Sequence, residues 1–333
     1  MKQRILKRSG IALSELSFGG AGIGNLFSPV NTAQTESAVQ ASWDIGIRTF
    51  DTAPHYGAGL SERRLGCALH ALHDEQRVIS TKVGRLLTPL QKGQASQQQG
   101  FVEEGPFARV YNYSYDAIMR SFEDSIQRLG VSEIDILLMH DIGRVTHGDN
   151  HDVIFKTAME SGYKAMDELR SQGLIKAIGL GVNEWQICSD TFNHADFDCF
   201  MVANCFTLLN NDITHSFTEQ CAQRNIDLIV AAPFNSGILA TGSTNPSPYW
   251  YDEAPIEIIK KVIAIEQVCE QFNVTLGAAA IQYPLRFDIV KSVAIGMTNV
   301  ARIQTNNKWY QEVIPEAFWE KLQQQGLVNA IGR

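Results

Sequence analysis

Residues 49–66 read TFDTAPHYGAGLSERRLG. A short apolar run ends at Asp51, a glycine-rich loop then carries His55 and Tyr56, and a helical pattern begins near Ser61. A carboxylate at the end of a buried strand is costly unless it is paired or hydrogen-bonded. The stretch is therefore either an ordinary exit from a strand or half of an active site, and the rest of the chain has to decide between these hypotheses.

The pattern of an apolar strand followed by a helix recurs along the chain. Strand-like runs lie at 16–20, 48–52, 78–82, 134–140, 176–182, 199–204, 227–233 and 291–296. Long apolar stretches within them are typical of parallel strands that are buried on both faces. Eight alternating units predict an α/β protein with a (β/α)8 (TIM) barrel. A doubly wound open sheet is the structural alternative, and the count of eight favours the barrel.

Nothing in the sequence divides this alternation into separate parts. No linker and no shift in composition separates one half of the chain from the other. We therefore expect a single domain over 1–333, with a C-terminal helix and tail at 315–333.

The composition excludes several classes of protein. The formal net charge of −8, without a cluster of Lys and Arg, argues against a nucleic-acid-binding protein. The N-terminus lacks the apolar stretch of a signal peptide, and no run of about 18 apolar residues predicts a membrane span. The six cysteines form no CxxC pair, as expected for reduced thiols in a cytoplasmic protein. We expect a cytoplasmic protein without nucleic-acid or membrane partners, while a homo-oligomer is neither predicted nor excluded.

The segment 84–113 interrupts the compact alternation with a long, polar and glutamine-rich stretch. An irregular segment longer than about 12–15 residues is usually either functional or disordered. It leaves the same end of the predicted barrel as the ionisable residues described next. We interpret it as a substrate-covering loop after the third strand, and a surface insertion without a role is the alternative.

Three neighbouring strands end in ionisable residues. Asp51, Lys82 and His140 close the second, third and fourth strands, and Tyr56 lies in the loop after the second. The carboxyl ends of the strands surround the active site of a (β/α)8 barrel, so these side chains are expected to converge. Each alone has a structural explanation, such as local hydrogen bonds for the aspartate or a satisfied core position for the histidine. Their occurrence on consecutive strands favours an active site.

These residue types have a specific chemical logic. A phenol with a pKa near about 10 is a poor proton acceptor at neutral pH. A nearby ammonium group favours the phenolate, and a carboxylate keeps that ammonium charged despite burial. Asp51 would thus hold Lys82, and Lys82 would lower the pKa of Tyr56. With His140 orienting the substrate oxygen, this is general acid–base chemistry of the kind that hydride transfer to or from a nicotinamide requires.

Over nearly its whole length the sequence resembles the aldo-keto reductase superfamily. The resemblance is carried, in the family's order, by the motifs FDTAPHYGAGLSERRLG, STK, DILLMH, IGLGVNEW and AIGMTNVARIQTNN. It implies that Asp51, Tyr56, Lys82 and His140 are the catalytic tetrad. It also implies that NAD(P)(H) binds in an extended conformation across the barrel mouth, without a Rossmann domain.

Within the superfamily, the sequence is most similar to the branch of D-threo-aldose 1-dehydrogenase (L-fucose dehydrogenase) and pyridoxal 4-dehydrogenase. The stretches GGAGIGNLFSPV, STKVGRLL, YSYDAIMRSFEDSIQRLG and PFNSGIL carry this likeness. It implies oxidation of an aldose such as L-fucose at C1 to its lactone, with Tyr56 as the general base. The alternatives are an NADPH-dependent aldehyde or ketone reductase, a pyridoxal 4-dehydrogenase, and a redox-sensing partner subunit.

The resemblance also assigns cofactor positions. Asn183 matches the residue that contacts the nicotinamide carboxamide, and Gly20 lies in the first-strand loop near the cofactor. The pyrophosphate and adenosine segments contribute Pro233, Asn235, Ser236, Gly237, Leu239, Gly296, Met297, Thr298, Arg302 and Asn306. Many NADPH-using members have a lysine where this chain has Gly296, so NAD is expected, with NADP left open by Arg302. The tyrosine that commonly stacks on the nicotinamide is replaced by Ala231, which leaves the packing of that ring open.

The remaining motifs give weaker indications of function. The glycines of GGAGIGN (19–25) do not keep the GxGxxG spacing of a dinucleotide fingerprint. The stretch HGDNHD (147–152) has no further carboxylate or cysteine cluster with ligand spacing, so no metal is expected. Candidate substrate-binding residues, chosen by position alone, are Phe27, His55, Arg85 and Trp185, with Tyr111 and Tyr113 as further pocket-lining candidates.

Overall fold

The computed structural model of the chain describes residues 1–72, 76–91, 93, 100–214, 216–244, 249–250 and 252–329. The strands in these ranges are β1 (Gln3–Ile5), β2 (Ala12–Ser14), β3 (Leu16–Gly19), β4 (Thr49–Asp51), β5 (Val78–Val83), β6 (Arg85–Pro89), β7 (Phe107–Tyr111), β8 (Ile136–His140), β9 (Ala177–Val182), β10 (Cys199–Ala203), β11 (Asp227–Ala231) and β12 (Val290–Gly296). β3, β4, β5 and β8 to β12 form a closed parallel barrel whose order follows the chain, with β12 paired to β3. Each predicted strand corresponds to one of these strands, so the predicted single-domain (β/α)8 barrel is confirmed.

The helices pack outside the barrel. They are α1 (Thr32–Asp44), α2 (Leu60–His70), α3 (Tyr115–Leu129), α4 (Arg144–His147), α5 (His151–Thr157), α6 (Tyr163–Ser171), α7 (Gln186–Asp190), α8 (Ser216–Gln223), α9 (Ile238–Thr241), α10 (Ile256–Phe272), α11 (Leu276–Leu285), α12 (Val300–Gln311) and α13 (Glu316–Gln324). Among the described residues, no helix combines the length and the apolar character that crossing a bilayer requires.

Helix α3 shows how the sequence sets these elements. It begins where the Ser114 side chain accepts a hydrogen bond from the backbone N–H of Ala117, and it ends at Gly130, whose φ is 63°. A hydroxyl N-cap and a left-handed glycine after the last turn are common helix boundaries because they satisfy the free backbone groups. Ile118 and Phe122 lie on the buried face of the helix and join the core between helices and barrel.

The amino-terminal end of the barrel is closed by a hairpin that the sequence analysis did not predict. β1 and β2 pair antiparallel, and Leu6, Ile11 and Leu13 are buried there. These side chains pack in one cluster with inward-facing residues of the barrel, including Ile136 and Leu138. Strands of three residues are too short for a periodic pattern to be distinguished from a loop.

The segment 84–113 is more ordered than the predicted loop. β6 and β7 pair antiparallel from Arg85 opposite Tyr111 to Pro89 opposite Phe107, and residues 92 and 94–99 between them lie outside the described part. The long connection between the two strands is unlike the short turns by which hairpins are recognised in sequence. Further along, Phe101 forms a β-bridge with Leu26 of the first barrel loop. The segment therefore lies over the carboxyl end of the barrel.

Candidate active site

The ionisable residues of three neighbouring strands meet at the carboxyl end of the barrel. Asp51 is the last residue of β4, Lys82 lies one residue before the end of β5, and His140 is the last residue of β8. The Lys82 ammonium donates hydrogen bonds to both carboxylate oxygens of Asp51, at 2.9 and 2.7 Å, and to the carbonyl oxygen of Thr52, at 3.0 Å. The pair expected from the sequence forms, and both side chains are buried.

Burial and mutual attraction oppose each other in this pair. Burial raises the pKa of Asp51 above its ordinary value, although the neighbouring Lys82 pulls the pKa of the carboxyl down. For Lys82, burial lowers the pKa, but the charge of Asp51 and the contact with Tyr56 outweigh it and raise the pKa. Lys82 is therefore a buried ammonium that stays charged at neutral pH.

Tyr56 lies directly over this charge. The Lys82 nitrogen is 4.7 Å from the centroid of the Tyr56 ring. The ring of His140 meets that of Tyr56 edge-on, with a centroid distance of 6.2 Å. All three side chains line one cavity of about 460 Å³, which we call the tetrad cavity. A substrate oxygen in this cavity can reach a phenol and an imidazole at the same time.

Two histidines in the cavity are held neutral. Burial, followed by the positive charges of Arg85 and Lys82 and by His55, keeps the pKa of His140 well below its ordinary value. Burial and the positive charges of Arg85, Arg109 and Lys82 also hold the pKa of His55 well below its ordinary value. At neutral pH each ring therefore has one N–H donor and one acceptor nitrogen. The Nδ1 atoms of both rings are buried and have no hydrogen-bond partner in the described part of the chain.

The loop that carries Tyr56 packs closely against the first barrel loop. Gly57 has a φ of 63°, and a Cβ atom there would lie 2.3 Å from the carbonyl oxygen of Gly24. Conversely, a Cβ atom at Gly24 would lie 2.8 Å from the carbonyl carbon of Tyr56. Only glycine fits at these two positions, so the two loops fix the height of Tyr56 above the barrel.

The segment after β5 holds the same loop from the other side. The backbone N–H of Gly105 donates to the carbonyl oxygen of Gly57 at 2.9 Å. The Arg109 guanidinium donates to the carbonyl oxygen of His55 at 3.1 and 3.0 Å and is paired with Glu104. Sequence analysis did not identify Arg109, because its partners become neighbours only through the β6–β7 hairpin.

A second buried ion pair adjoins the cavity. Asp141 follows His140 directly and lines the cavity, and its carboxylate is paired with Arg85. The same carboxylate accepts a hydrogen bond from the side-chain amide of Asn183 at 3.2 Å. Sequence analysis missed Asp141, although an acidic residue immediately after a strand end was the available indication.

The positions assigned to the nicotinamide lie beside the tetrad. Asn183 lines both the tetrad cavity and a neighbouring cavity of about 660 Å³. The side-chain nitrogen and oxygen of Asn204, in the wall of the second cavity, are buried and have no partner within the described residues. A carboxamide has the matching acceptor and donor. The small side chains of Ala203 and Ala231 leave space between these asparagines and the tetrad.

The two remaining cofactor segments follow the last two barrel strands. After β11, Ser236 has a φ of 64°. Asn235 accepts a hydrogen bond from Thr207 at 2.6 Å and donates to the carbonyl oxygen of Asn204 at 3.2 Å. Pro233 and Leu239 are buried, and Gly237 lies at the start of α9. The turn is therefore anchored to the loop after β10, next to the second cavity.

After β12, the adenosine candidates lie partly in solvent. Gly296 and Arg302 are exposed, whereas Met297 and Asn306 are buried. Thr298 packs against Gly22 of the first barrel loop. The backbone N–H of Gly20 donates to the carbonyl oxygen of Asp51 at 2.8 Å. The unpartnered polar atoms of Asn204, the space left by the two alanines and the open position at Gly296 fit an extended dinucleotide across the barrel mouth.

The candidate substrate residues divide into two groups. Phe27 and His55 line the tetrad cavity. Arg85 is paired with Asp141, which lines the tetrad cavity, whereas Trp185 lines the second cavity. Tyr111 packs against the Arg85 guanidinium, while the buried Tyr113 hydroxyl donates to the backbone carbonyl of His140 at 2.8 Å. Phe101, Met201 and Val182 also line the tetrad cavity.

The histidines of HGDNHD have structural partners. The Nε2 atom of His147 is 2.9 Å from the carbonyl oxygen of Asp141, and the Nδ1 atom of His151 is 3.2 Å from that of Ile142. Among the described residues, no group of three or more His, Cys, Asp or Glu side chains is arranged to hold a metal ion.

The neutral histidines give a pH-dependent stability. Because the pKa of His140 is lower in the folded chain than in the unfolded chain, unfolding takes up a proton below about pH 6.5. The free energy of unfolding is thus expected to fall as the pH falls below that value. In His140→Gln, the fall of the free energy of unfolding with falling pH should be smaller by up to about 1.4 kcal/mol per pH unit. Urea unfolding between pH 5 and 8 measures this pH dependence. His70→Gln, at an exposed position, is the control. If the free energy of unfolding of His140→Gln changes with pH as it does in the wild type, the prediction is contradicted.

Comparison with known proteins finds relatives that match nearly the whole chain. A sequence model described as the aldo/keto reductase family matches residues 15–331. Pyridoxal 4-dehydrogenase of Microbacterium luteolum is 41% identical over 98% of both chains, and D-threo-aldose 1-dehydrogenase of a Pseudomonas species is 34% identical over 96% of both. The holo form of an aldo-keto reductase from Bacillus halodurans superposes with a TM-score of 0.77 over 100% of this chain and 98% of that one. At 20% identity, this last similarity supports the fold alone.

Proposed function

The chain belongs to the aldo/keto reductase family, and on that premise we propose that it is a dehydrogenase that oxidises the C1 hydroxyl of a cyclic aldose, such as L-fucose, to the lactone. The family consists of oxidoreductases that use NAD(P)H. The observation that carries the proposal is the buried Asp51–Lys82 pair beneath Tyr56, in a cavity that His140 also lines. The similarity to an aldose 1-dehydrogenase over the full length supports the choice of substrate.

The proposed mechanism assigns each side chain one task. Tyr56 accepts the proton of the C1 hydroxyl, and the Lys82 ammonium stabilises the negative charge on the phenol oxygen. Asp51 keeps that ammonium charged and in place. Neutral His140 donates a hydrogen bond to the same substrate oxygen and so orients C1. The chemistry that NAD(P)+ supplies when bound is the acceptance of a hydride from C1, with Asn183 and Asn204 holding the carboxamide.

A panel of substrates tests the proposal. L-fucose, D-arabinose, L-galactose and pyridoxal are each incubated with purified protein and NAD+ or NADP+, and NAD(P)H formation is followed. We expect NAD+-dependent oxidation of at least one aldose, with the lactone as product. Reduction of aldehydes by NADPH without oxidation of any aldose would favour the reductase alternative. Tight binding of NADH without turnover would favour the redox-sensing subunit.

Pyridoxal is the second candidate substrate, because one wall of the cavity is aromatic. The rings of Tyr56 and Phe101 are 6.1 Å apart and inclined by only 29°, and a flat pyridine ring suits such a wall. Pyridoxal carries an aldehyde beside a hydroxymethyl group and closes into a cyclic hemiacetal, as an aldose does. Oxidation of either hemiacetal at its hydroxyl-bearing carbon gives a lactone, so the same tetrad serves both. The similarity to a pyridoxal 4-dehydrogenase supports this candidate.

NAD is the proposed cofactor because no cation stands at Gly296. The residue is exposed, and a Cβ atom there would meet nothing within 4 Å, so a longer side chain can be introduced without a clash. In Gly296→Lys, we expect the ratio of kcat/KM for NADP+ to that for NAD+ to rise about tenfold, through a charge-assisted contact with the 2′-phosphate. Gly296→Gln, of similar length but uncharged, is the matched control. An equal rise in both variants would show that charge at this position does not select the cofactor.

The expectations of a cytoplasmic location, of a small-molecule substrate and of no nucleic-acid or membrane partner form part of the proposal. So does the action of 1–333 as one catalytic unit, with 84–113 covering the substrate. Phe101 supports the covering role, since it lies in that segment and lines the cavity.

A further inference from the structure

Asp141 has a backbone conformation that is unusual for its position. Its φ is 49°, in the left-handed region that residues other than glycine rarely adopt. The residue directly follows His140 and is buried, yet its side chain lines the tetrad cavity. Conformations of this kind persist where the surroundings hold them and often mark functional sites.

Two side chains hold the backbone of Asp141 in this conformation. Its carbonyl oxygen lies 3.1 Å from the Tyr113 hydroxyl, whose proton is shared with the carbonyl oxygen of His140, and 2.9 Å from the Nε2 atom of His147. The backbone N–H of Asp141 donates to the carbonyl oxygen of Gly181 at 2.9 Å. Because both backbone groups are bound, the residue keeps this conformation, and the contacts with Arg85 and Asn183 fix the carboxylate at the cavity wall.

The Asp141 carboxylate has hydrogen-bond acceptor positions that are not filled. Arg85 binds one oxygen, and the Asn183 amide donates to the other at 3.2 Å. A carboxylate offers about four acceptor positions, so each oxygen can take another donor. In addition, the Nε atom of Arg85 is buried without a hydrogen-bond partner in the described ranges. Unfilled polar capacity next to a cavity is the expected state of a binding group before its ligand arrives.

The position of this carboxylate relative to the tetrad is specific. One oxygen of Asp141 lies 3.4 Å from the Nε2 atom of His140. A substrate oxygen bound by His140 therefore has the Asp141 carboxylate at its side. Two oxygens on adjacent carbon atoms of a ring are separated by a similar distance. The carboxylate thus lies within hydrogen-bonding reach of a second substrate oxygen, on the atom next to the reacting carbon.

We infer that Asp141 is a specificity-determining residue whose carboxylate accepts a hydrogen bond from the hydroxyl on the atom next to the reacting carbon. The inference rests on the proposed function. In an aldose this group is the C2 hydroxyl. Arg85 holds the carboxylate in position and balances its charge. That balance matters, because an uncompensated carboxylate beside His140 would favour the imidazolium over the neutral donor.

Substrates that lack this hydroxyl test the inference in the wild-type protein. The ratio of kcat/KM for the aldose that is oxidised to that for its 2-deoxy analogue is measured, as for L-fucose and 2-deoxy-L-fucose. We expect a ratio of about 10 to 100 for the accepted substrate, as for a hydrogen bond to a charged group. A ratio near one overturns the inference while leaving the proposed function intact. Failure to oxidise any aldose of the substrate panel overturns the proposed function, and the inference with it.

Variants separate recognition from support of the fold. In Asp141→Asn the ratio is expected to fall at least about fivefold, since a neutral acceptor binds a hydroxyl more weakly. A purely structural role would lower kcat/KM for both substrates alike and leave the ratio unchanged. Glu104→Gln is the matched control, because this acid is also buried and paired with an arginine but does not line the cavity. If Asp141→Asn folds poorly with Arg85 unpaired, Asp141→Asn with Arg85→Met removes both charges and carries the same expectation.

Discussion

Tyr56→Phe is expected to lower kcat by a factor of about 10² to 10⁴, the usual contribution of a positioned general acid or base. The substitution removes one oxygen and keeps the ring, so the contacts with Phe101 and His140 are retained. The decisive measurement is kcat for the best aldose or pyridoxal substrate under saturating cofactor. Binding of NADH, followed by quenching of protein fluorescence, should stay within about twofold of the wild type.

The matched control for this variant is Tyr115→Phe. Tyr115 lies on α3 outside the barrel, where its hydroxyl is 2.7 Å from a carboxylate oxygen of Glu168. It also loses a phenolic oxygen and is expected to keep the wild-type kcat. If Tyr56→Phe folds normally and retains most of its turnover, the assignment of the proton-transfer group is wrong.

Lys82→Met is expected to reduce both stability and turnover. It leaves the carboxylate of Asp51 buried without its partner, which for a buried ion pair costs about 3–5 kcal/mol. It also removes the charge that stabilises the Tyr56 oxygen during proton transfer, so kcat should fall at least about 10²-fold. Urea unfolding at neutral pH measures the first effect, and steady-state rates at a temperature where the variant is folded measure the second.

The double variant Asp51→Asn with Lys82→Met separates these two effects. Replacing both members of a buried ion pair by neutral groups is often close to neutral for stability. We expect most of the lost free energy of unfolding to return, while kcat stays at the level of Lys82→Met. Recovery of turnover together with stability would show that Lys82 supports the fold and has no part in the chemistry.

Much of the barrel could be predicted because its strands carry a local pattern. A parallel strand covered on both faces is a short apolar run, and the next helix has a different periodicity, so each unit is readable on its own. The pairing of Asp51 with Lys82 was predictable for the same reason, since both lie at the ends of neighbouring strands. Topology then brings such ends together at one face of the barrel.

The elements that were not predicted depend on contacts between distant parts of the chain. β6 and β7 pair across a long connection, and β1 and β2 are stabilised by packing against the barrel floor. The position of Asp141 depends on Tyr113, His147 and Arg85, which lie in three other parts of the chain. No local pattern encodes such contacts, because they depend on which loops the closed barrel brings together.

The sequence by itself determined the eight-stranded barrel, the positions of Asp51, Lys82 and His140 at its strand ends, and Tyr56 in the following loop. Alternating periodicity and the order of strands are sufficient for that. Only the tertiary structure decided how close the Tyr56 ring lies to the ammonium, that both cavity histidines are neutral, and that the Asp141 carboxylate lies beside His140. These properties depend on burial and on charges brought from separate loops, and neither is a property of a local stretch of sequence.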